Sequence, residues 1–124
     1  MDHVQMIDTG KLTNQQKHIF RKWAELLNST NNIILLYWTD SNSTEYDEIY
    51  DRLVRKNKYI ILSKVRVHNI EHYKFLDINN VPTFTIYQKR KKLAHISGKG
   101  ITEAVLQKYL DNMLFHKEAL GIKI

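Results

Sequence analysis

Apolar residues form continuous runs and helical stripes along the chain. The run at 33–38 is too short for a typical helix and begins with two isoleucines, which predicts a strand buried on both faces. Further strands are predicted at 59–67, 81–87 and 93–96 by the same reasoning. A short apolar segment at 4–7 is compatible with an edge strand.

Helices are predicted between these strands, because their apolar residues recur every three or four positions. The first predicted helix, at 13–28, opens with a Thr-x-x-Gln capping box that satisfies free backbone amides. The others are predicted at 43–57, 69–78 and 102–113.

The predicted elements follow the order β-α-β-α-β-α-β-β-α. Right-handed crossovers make the middle strands parallel, and the last two strands form an antiparallel hairpin. Because all-apolar strands need cover on both faces, we predict an α/β fold with three layers, a central mixed sheet flanked by helices. Residues 1–114 are expected to form a single domain and 115–124 a C-terminal tail. The expected core includes Ile34, Leu36, Ile60, Leu62, Phe84 and Ile86.

Composition excludes several kinds of chemistry but leaves several classes of partner open. The 124-residue chain has no cysteine, which excludes disulfides, iron–sulfur clusters and thiol chemistry. Its net charge of +6 is compatible with nucleic acid, an anionic membrane or an acidic partner. Asn, Ile, Lys and Tyr are all abundant and all have AT-rich codons. A bias in the base composition of the genome therefore explains the excess of lysine equally well.

Targeting signals are not evident in the sequence. No apolar run approaches the roughly 20 residues that span a bilayer, so no membrane association is expected. The first residues lack the basic and apolar regions of a signal peptide. We therefore expect a cytoplasmic protein, or a nuclear one in a eukaryote.

Three local features occur in a characteristic order. They are Tyr37-Trp38 at the end of the 33–38 run, Val81-Pro82-Thr83 after the short helix, and Gly98 before the last helix. Together with the order of elements, they resemble the thioredoxin family over residues 12–114. The resemblance implies the thioredoxin fold and a cis peptide bond at Val81–Pro82.

The redox motif of that family is missing. In thioredoxins, Cys-x-x-Cys opens the second helix four residues past the tryptophan. The matching positions here are Asn42, Ser43, Thr44 and Glu45, or Ser41 to Thr44 in a register one residue earlier. The family's buried proton-transfer acid is matched by Leu36, and the lysine that faces it by Lys64. Since thiol–disulfide exchange needs a thiolate, the resemblance implies a redox-inactive protein.

The function implied by this resemblance is that of a binding or adaptor module, with no catalytic residue, cofactor or metal. Its partner would be another protein or an extended peptide that pairs with the backbone of Val81 as an added strand. A shallow groove for that partner would comprise Trp38, Val81, Pro82 and Gly98, next to the loop at 42–45. The oligomeric state is left open.

Other functions remain open from the sequence. The basic turn of Lys89, Arg90, Lys91 and Lys92 is either a solvated turn or a contact for nucleic acid. An enzyme using the same groove would depend on Lys64, Asp40 or Glu45. Replacement of the cysteines by engineering is a further alternative. His68 and His72 have the spacing of two metal ligands, but a third ligand is not evident.

Overall fold

Three helices and four strands make up the described part of the chain. A computed structural model describes residues 9–40 and 45–119, with side chains for 10–40 and 45–113. In chain order the elements are α1 (Asn14–Asn28), β1 (Ile34–Thr39), α2 (Asp47–Lys56), β2 (Ile61–Arg66), a 3-10 helix (Ile70–Leu76), β3 (Thr83–Gln88), β4 (Lys91–Ser97) and α3 (Glu103–Ala119). The strand predicted at 4–7 lies outside the described residues.

The four strands form a mixed sheet in the order β2-β1-β3-β4. Strands β1 and β2 are parallel, with Ile34 opposite Ile61. Strand β3 runs antiparallel to both β1 and β4, with Ile34 opposite Tyr87 and Thr83 opposite Ser97. The predicted α/β class and mixed central sheet are therefore confirmed.

Alternate residues of β1 enter two separate cores, one on each face of the sheet. Leu35 and Tyr37 join a core that includes Phe84 and Ile86 of β3, Leu53 of α2, and Leu106 and Leu110 of α3. Ile34, Leu36 and Trp38 join a core with α1 and the 3-10 helix, including Leu27, Tyr73 and Leu76. All six residues of β1 are buried, which confirms the strand covered on both faces. The helices thus form the two outer layers.

Strand β2 is less buried than its apolar sequence predicts. It lies at an edge of the described sheet, so it has one strand neighbour instead of two. Its residues are half-buried or exposed. Leu62, which was expected in the core, is only half-buried and packs at the margin of the α2 and α3 core. The other five expected core residues are buried.

The helix ends agree with the sequence where a cap defines them. The amide of Gln16 donates to Thr13 Oγ1 at 3.2 Å, and the amide of Thr13 donates to Gln16 Oε1 at 3.0 Å, so the predicted capping box forms. At the other end of the chain, α3 extends to Ala119 instead of ending near residue 113. No glycine or proline interrupts the sequence before Gly121, so nothing local ends the helix earlier. Residues 115–119 therefore continue α3.

Polar contacts join α2 to α3, some of them exposed and others around the buried Asn57. Arg52 and Lys56 both bind the carboxylate of Glu103. The side-chain amides of Asn57 and Gln107 bond reciprocally, at 2.9 and 2.8 Å. These contacts fix the crossing of the two helices. None of the helices in the described ranges is long and apolar enough to cross a membrane.

The ion pairs of Glu103 should make the protein less stable as the pH is lowered into the acid range. Hydrogen bonds from Lys56 and Arg52 hold the pKa of Glu103 below its ordinary value of 4.5. A carboxyl group with a lowered pKa in the folded state stabilises the protein above that ordinary value. The contribution is lost as the pH falls through the lower, folded-state pKa. We expect Glu103→Gln to be less stable at pH 7 and to lose less stability on acidification.

Urea unfolding at a series of pH values from about 7 to about 3 measures this effect. Glu48→Gln is the matched control, because Glu48 also faces Arg52, at 3.7 Å, but its side chain is 83% exposed. Curves for Glu103→Gln and wild type that stay parallel over this range would contradict the prediction.

Candidate functional site

Three loops leave the sheet at the carboxyl end of β1. Trp38 lies opposite Thr83, and Thr83 lies opposite Ser97. The loop after β1, the loop before β3 and the loop after β4 therefore share this end of the sheet. They contain the predicted site residues Glu45, Val81, Pro82 and Gly98, whereas Asn42, Ser43 and Thr44 lie outside the described residues.

The loop before β3 has an ordered backbone that takes no part in the sheet. The Val81–Pro82 peptide bond is cis. The Thr83 hydroxyl donates to the Asn80 carbonyl oxygen at 2.7 Å and thereby closes the loop. Val81 precedes β3, and no backbone hydrogen bond engages it among the described residues. Its side chain packs against the α1 core, so its main chain is held in place.

Gly98 forms the neighbouring surface. It begins a 3-10 turn, Gly98–Gly100, directly after β4. Its φ is +65°, in the left-handed region that glycine adopts without steric cost. A Cβ placed on Gly98 would meet nothing within 4 Å, so the space above the residue is open. The turn is closed by the Ile101 amide, which donates to the Gly98 carbonyl at 3.2 Å.

Trp38 offers no exposed surface to this end of the molecule, contrary to expectation. The residue is 1% exposed and belongs to the α1 core. Its indole Nε1 donates to Thr85 Oγ1 at 2.8 Å, and its ring meets Tyr73 edge-on at 5.8 Å. Side chains alternate along a strand, so this position of β1 faces the interior between the sheet and α1. Trp38 is therefore a core residue.

The residue that faces Lys64 is Tyr37, not Leu36. In the β1–β2 register, Tyr37 lies opposite Lys64, and Leu36 lies opposite Ser63. Leu36 points to the α1 core, on the other face of the sheet. The matches of Leu36 to the family's acid and of Lys64 to the lysine that faces it therefore do not hold together, because one step along a strand reverses the face.

The buried Tyr37 is the centre of a cluster beneath the start of α2, in which the Lys64 and Asp47 side chains remain 45% and 33% exposed. Its ring stacks on Phe84, with centroids 4.5 Å apart and planes 6° from parallel. Its hydroxyl donates to Asp47 Oδ1 at 2.8 Å, and Lys64 Nζ lies 3.2 Å from Asp47 Oδ2. Lys64 therefore has a carboxylate partner, Asp47, although its match to the family's lysine paired it with Leu36. The cluster connects β1, β2 and α2 below the loop that follows β1.

Burial raises the pKa of the Tyr37 phenol well above its ordinary value, and the neighbouring Asp47 carboxylate raises it further. The phenol therefore stays protonated at neutral pH and acts as a hydrogen-bond donor. A group in this state cannot replace a carboxylic acid that loses and regains a proton near neutrality.

The positions that match the redox motif depend on which residue takes the place of the acid. If Tyr37 takes the place of the acid, the position two residues on is Thr39, and the motif falls on residues 43–46. Of these, Ser43 and Thr44 lie outside the described residues. Glu45 is exposed and Tyr46 is half-buried at the start of α2. No register along this loop contains a thiol, because the chain has no cysteine.

The basic turn lies at the opposite end of the sheet from these loops. Gln88 pairs with Lys91, so Lys89 and Arg90 form a two-residue hairpin turn. Their φ angles are +53° and +64°. The basic turn therefore belongs to a different surface. In the ranges with described side chains, no group of three or more histidines or acids could hold a metal ion.

Comparison with known proteins gives a fold. No protein-family model matches the chain, and no curated protein sequence matches it. Among solved structures, thioredoxin from Trypanosoma brucei brucei has a TM-score of 0.65 and 16% identity, covering 76% of this chain and 84% of that chain. Fasciola hepatica thioredoxin has a TM-score of 0.64 and 18% identity, covering 74% and 91%. A designed protein has a TM-score of 0.59 and 26% identity, covering 73% and 86%.

These similarities agree with the sheet order, the two flanking layers and the loops at the carboxyl end of β1. At such low identity they establish the architecture and not the activity. The chain therefore has the thioredoxin fold, in a form that lacks the Cys-x-x-Cys motif.

Proposed function

We propose that this protein is a redox-inactive thioredoxin-like binding module that recognises an extended segment of another protein. The binding surface is formed by Val81, Pro82 and Gly98, with Glu45 at its side. One observation carries the proposal: the half-buried Val81 is anchored by its side chain directly before β3, and no backbone hydrogen bond engages it among the described residues.

Backbone pairing suits such a surface. An extended peptide supplies alternating amide and carbonyl groups, which add to an unused main-chain edge as another strand does. Val81 is anchored by its side chain and by the Thr83–Asn80 bond, so little order has to be gained on binding. The open space above Gly98 leaves room for the peptide main chain.

Thiol chemistry plays no part in this function. Without cysteine, the chain cannot form a mixed disulfide with a bound substrate. The buried Tyr37 cluster supports natural loss of redox activity over engineered removal of cysteines. Engineering would replace the thiols and keep the acid, whereas in this chain a protonated tyrosine faces Lys64.

The proposal predicts that affinity depends on the main chain of the bound peptide. Peptides selected from a random display library on the immobilised protein should each contain one amide whose N-methylation weakens binding by at least about tenfold, because a lost hydrogen bond and a steric clash coincide there. Isothermal titration with singly N-methylated peptides measures the effect. A selected peptide that tolerates methylation at every position would contradict backbone pairing.

Gly98 provides the matched protein variants. Gly98→Arg projects a long side chain over the site and should weaken the selected peptides by about tenfold or more. Gly98→Asn should bind nearly as well as wild type, since asparagine is short and tolerates a positive φ. Equal affinity of the two variants would move the site away from this end of the sheet. Circular dichroism confirms that both variants are folded.

A further inference from the structure

A positively charged surface lies at the end of the sheet where β1 begins. Ile34 of β1 aligns with Ile61 of β2 and with Tyr87 of β3, next to the hairpin that leads into β4. The segment that leads into β2 and the hairpin turn are therefore brought to the same end. We call this surface the basic end and define it by Arg55, Lys58, Tyr59, Lys89, Arg90, Lys91 and Lys92.

Positive charge is concentrated in the two segments that meet there. No acidic residue occurs between Asp51 and Glu71, or between Asp77 and Glu103. Helix α2 is itself polarised, with Asp47 and Glu48 in its first turn and basic residues in its last. The sequence shows each basic segment separately, but only the sheet order places them at one end.

The span of the basic end can be estimated from the sheet. Strands β2 and β4 are the two edges of the described sheet, with β1 and β3 between them. At about 4.8 Å per strand, the two basic segments lie about 14 Å apart. The loop that leads into β1 lies between them and is polar and uncharged, from Ser29 to Asn32. Polar and positive groups therefore occupy all three of these segments, while Asp111 of α3 bonds to Gln107, the partner of Asn57.

An exposed aromatic ring lies in the same surface. Tyr59 is 66% exposed, the most exposed large hydrophobic residue in the described chain. Base stacking on an aromatic ring, combined with cations along the backbone, is how proteins hold single strands of nucleic acid. The sequence by itself places no aromatic residue among the hairpin cations, whereas the fold brings Tyr59 to their end of the sheet.

The two central residues of the hairpin turn are charged, although its backbone conformation is unfavourable for their side chains. Two-residue turns of this kind need a positive φ at both central positions and favour Asn-Gly. Lys89 and Arg90 adopt positive φ in this turn, although left-handed conformations are unfavourable for such side chains. Unfavourable local conformations of this sort accumulate at functional sites. Lys89 and Arg90 are therefore unfavourable for the conformation of the turn, and we attribute their presence to the charge that they provide for a ligand.

We propose that the basic end binds single-stranded nucleic acid, with the hairpin cations on phosphates and Tyr59 stacked on a base. This site is separate from the peptide surface at the other end of the sheet, and neither proposal depends on the other. An acidic protein segment would share the charge complementarity but would make no use of an exposed ring as a stacking platform.

The test is fluorescence anisotropy with labelled oligothymidylate of about twelve nucleotides, within the range of roughly 4–16 that small single-strand sites cover. Wild type should bind, and log affinity should fall steeply with log salt. Changing Lys89, Arg90, Lys91 and Lys92 to Gln should weaken binding at least about tenfold and reduce the slope by up to about 3, since each phosphate contact contributes about 0.7. Absence of binding by wild type at about 0.1 M salt would overturn the proposal.

A control variant tests whether total charge alone explains the effect. Changing Lys17, Lys22, Arg66 and Lys99 to Gln removes the same charge away from the basic end and should leave affinity within about threefold of wild type. An equal loss in both variants would overturn a specific site. Tyr59→Ala should weaken binding about tenfold, and Tyr59→Phe should not, because the ring and not the hydroxyl stacks. Unchanged affinity of Tyr59→Ala would overturn base stacking at this site. Equal binding of a polyglutamate peptide would favour an acidic protein partner instead.

One further variant separates binding from folding. Lys89→Asn/Arg90→Gly suits the turn and should raise the melting temperature while it lowers affinity for oligothymidylate. Gain of stability without loss of affinity would overturn the role of the turn. The same variant should leave peptide binding at the Val81 surface unchanged, so failure of one proposal is distinguishable from failure of the other.

Discussion

Tyr37→Asp should lower the free energy of unfolding by about 5 kcal/mol, most of what a domain of this size has. Tyr37 is fully buried and stacks on Phe84, so truncating it leaves a cavity. The new carboxyl would be buried beside Asp47, which already binds Lys64. An acid at the place that faces Lys64 therefore conflicts with the packing of this core.

Tyr37→Phe is the matched control. It keeps the stacked ring and loses only the hydrogen bond to Asp47, so we expect a loss of about 1–2 kcal/mol. Urea unfolding followed by circular dichroism measures both variants. If Tyr37→Asp were within about 1 kcal/mol of wild type, the core would tolerate an acid at this position, and the prediction would be contradicted.

The second large effect is expected at Trp38. Trp38→Ala should cost about 4 kcal/mol, because a fully buried indole is removed from the core between the sheet and α1. The change also leaves Thr85 Oγ1 without its buried donor. Chemical denaturation of the purified variant measures the loss.

Two variants distinguish the ring from its hydrogen bond. Thr85→Val removes the acceptor and should cost about 1–2 kcal/mol, less than the loss of the whole ring. Any Trp38→Phe that remains folded should bind selected peptides as wild type does, since the position contributes no exposed surface. Loss of peptide binding by a folded, stable Trp38→Phe would return Trp38 to the binding surface.

Both predictions concern the same strand and show how the site is built. The two faces of β1 hold Tyr37 on one side and Trp38 on the other, and each side chain binds a partner from another element. The end of β1 is therefore anchored on both faces. This anchoring supports the carboxyl end of the sheet, where the loops that contain Val81 and Gly98 lie.

Most of the fold could be predicted because the signals are local. The apolar run at 33–38, the Thr13–Gln16 capping box and the hairpin before β4 each depend on neighbouring residues only. The burial of β2 could not be predicted in this way. Its apolar residues resemble those of a central strand, but exposure depends on which strands lie beside it in the described sheet.

The candidate site was only partly predictable. Val81, Pro82 and Gly98 were identified from their order along the chain, and their loops share one end of the sheet. Trp38 was expected in the groove, but its burial between the sheet and α1 removes it from the surface. The pairing of Lys64 with Tyr37 instead of Leu36 required the β1–β2 register, because a shift of one residue along a strand exchanges the two faces.

The sequence by itself determined that this protein has the order of elements of an α/β domain and no thiol for redox chemistry. Both properties are set by residue type and local spacing, which need no partner from a distant part of the chain. Only the tertiary structure decided that Tyr37 faces Lys64, that Trp38 is buried, and that Tyr59 shares one end of the sheet with the basic turn. The physical reason is that register and strand order arise from hydrogen bonding between segments far apart in the chain, and these pairings determine which side chains meet.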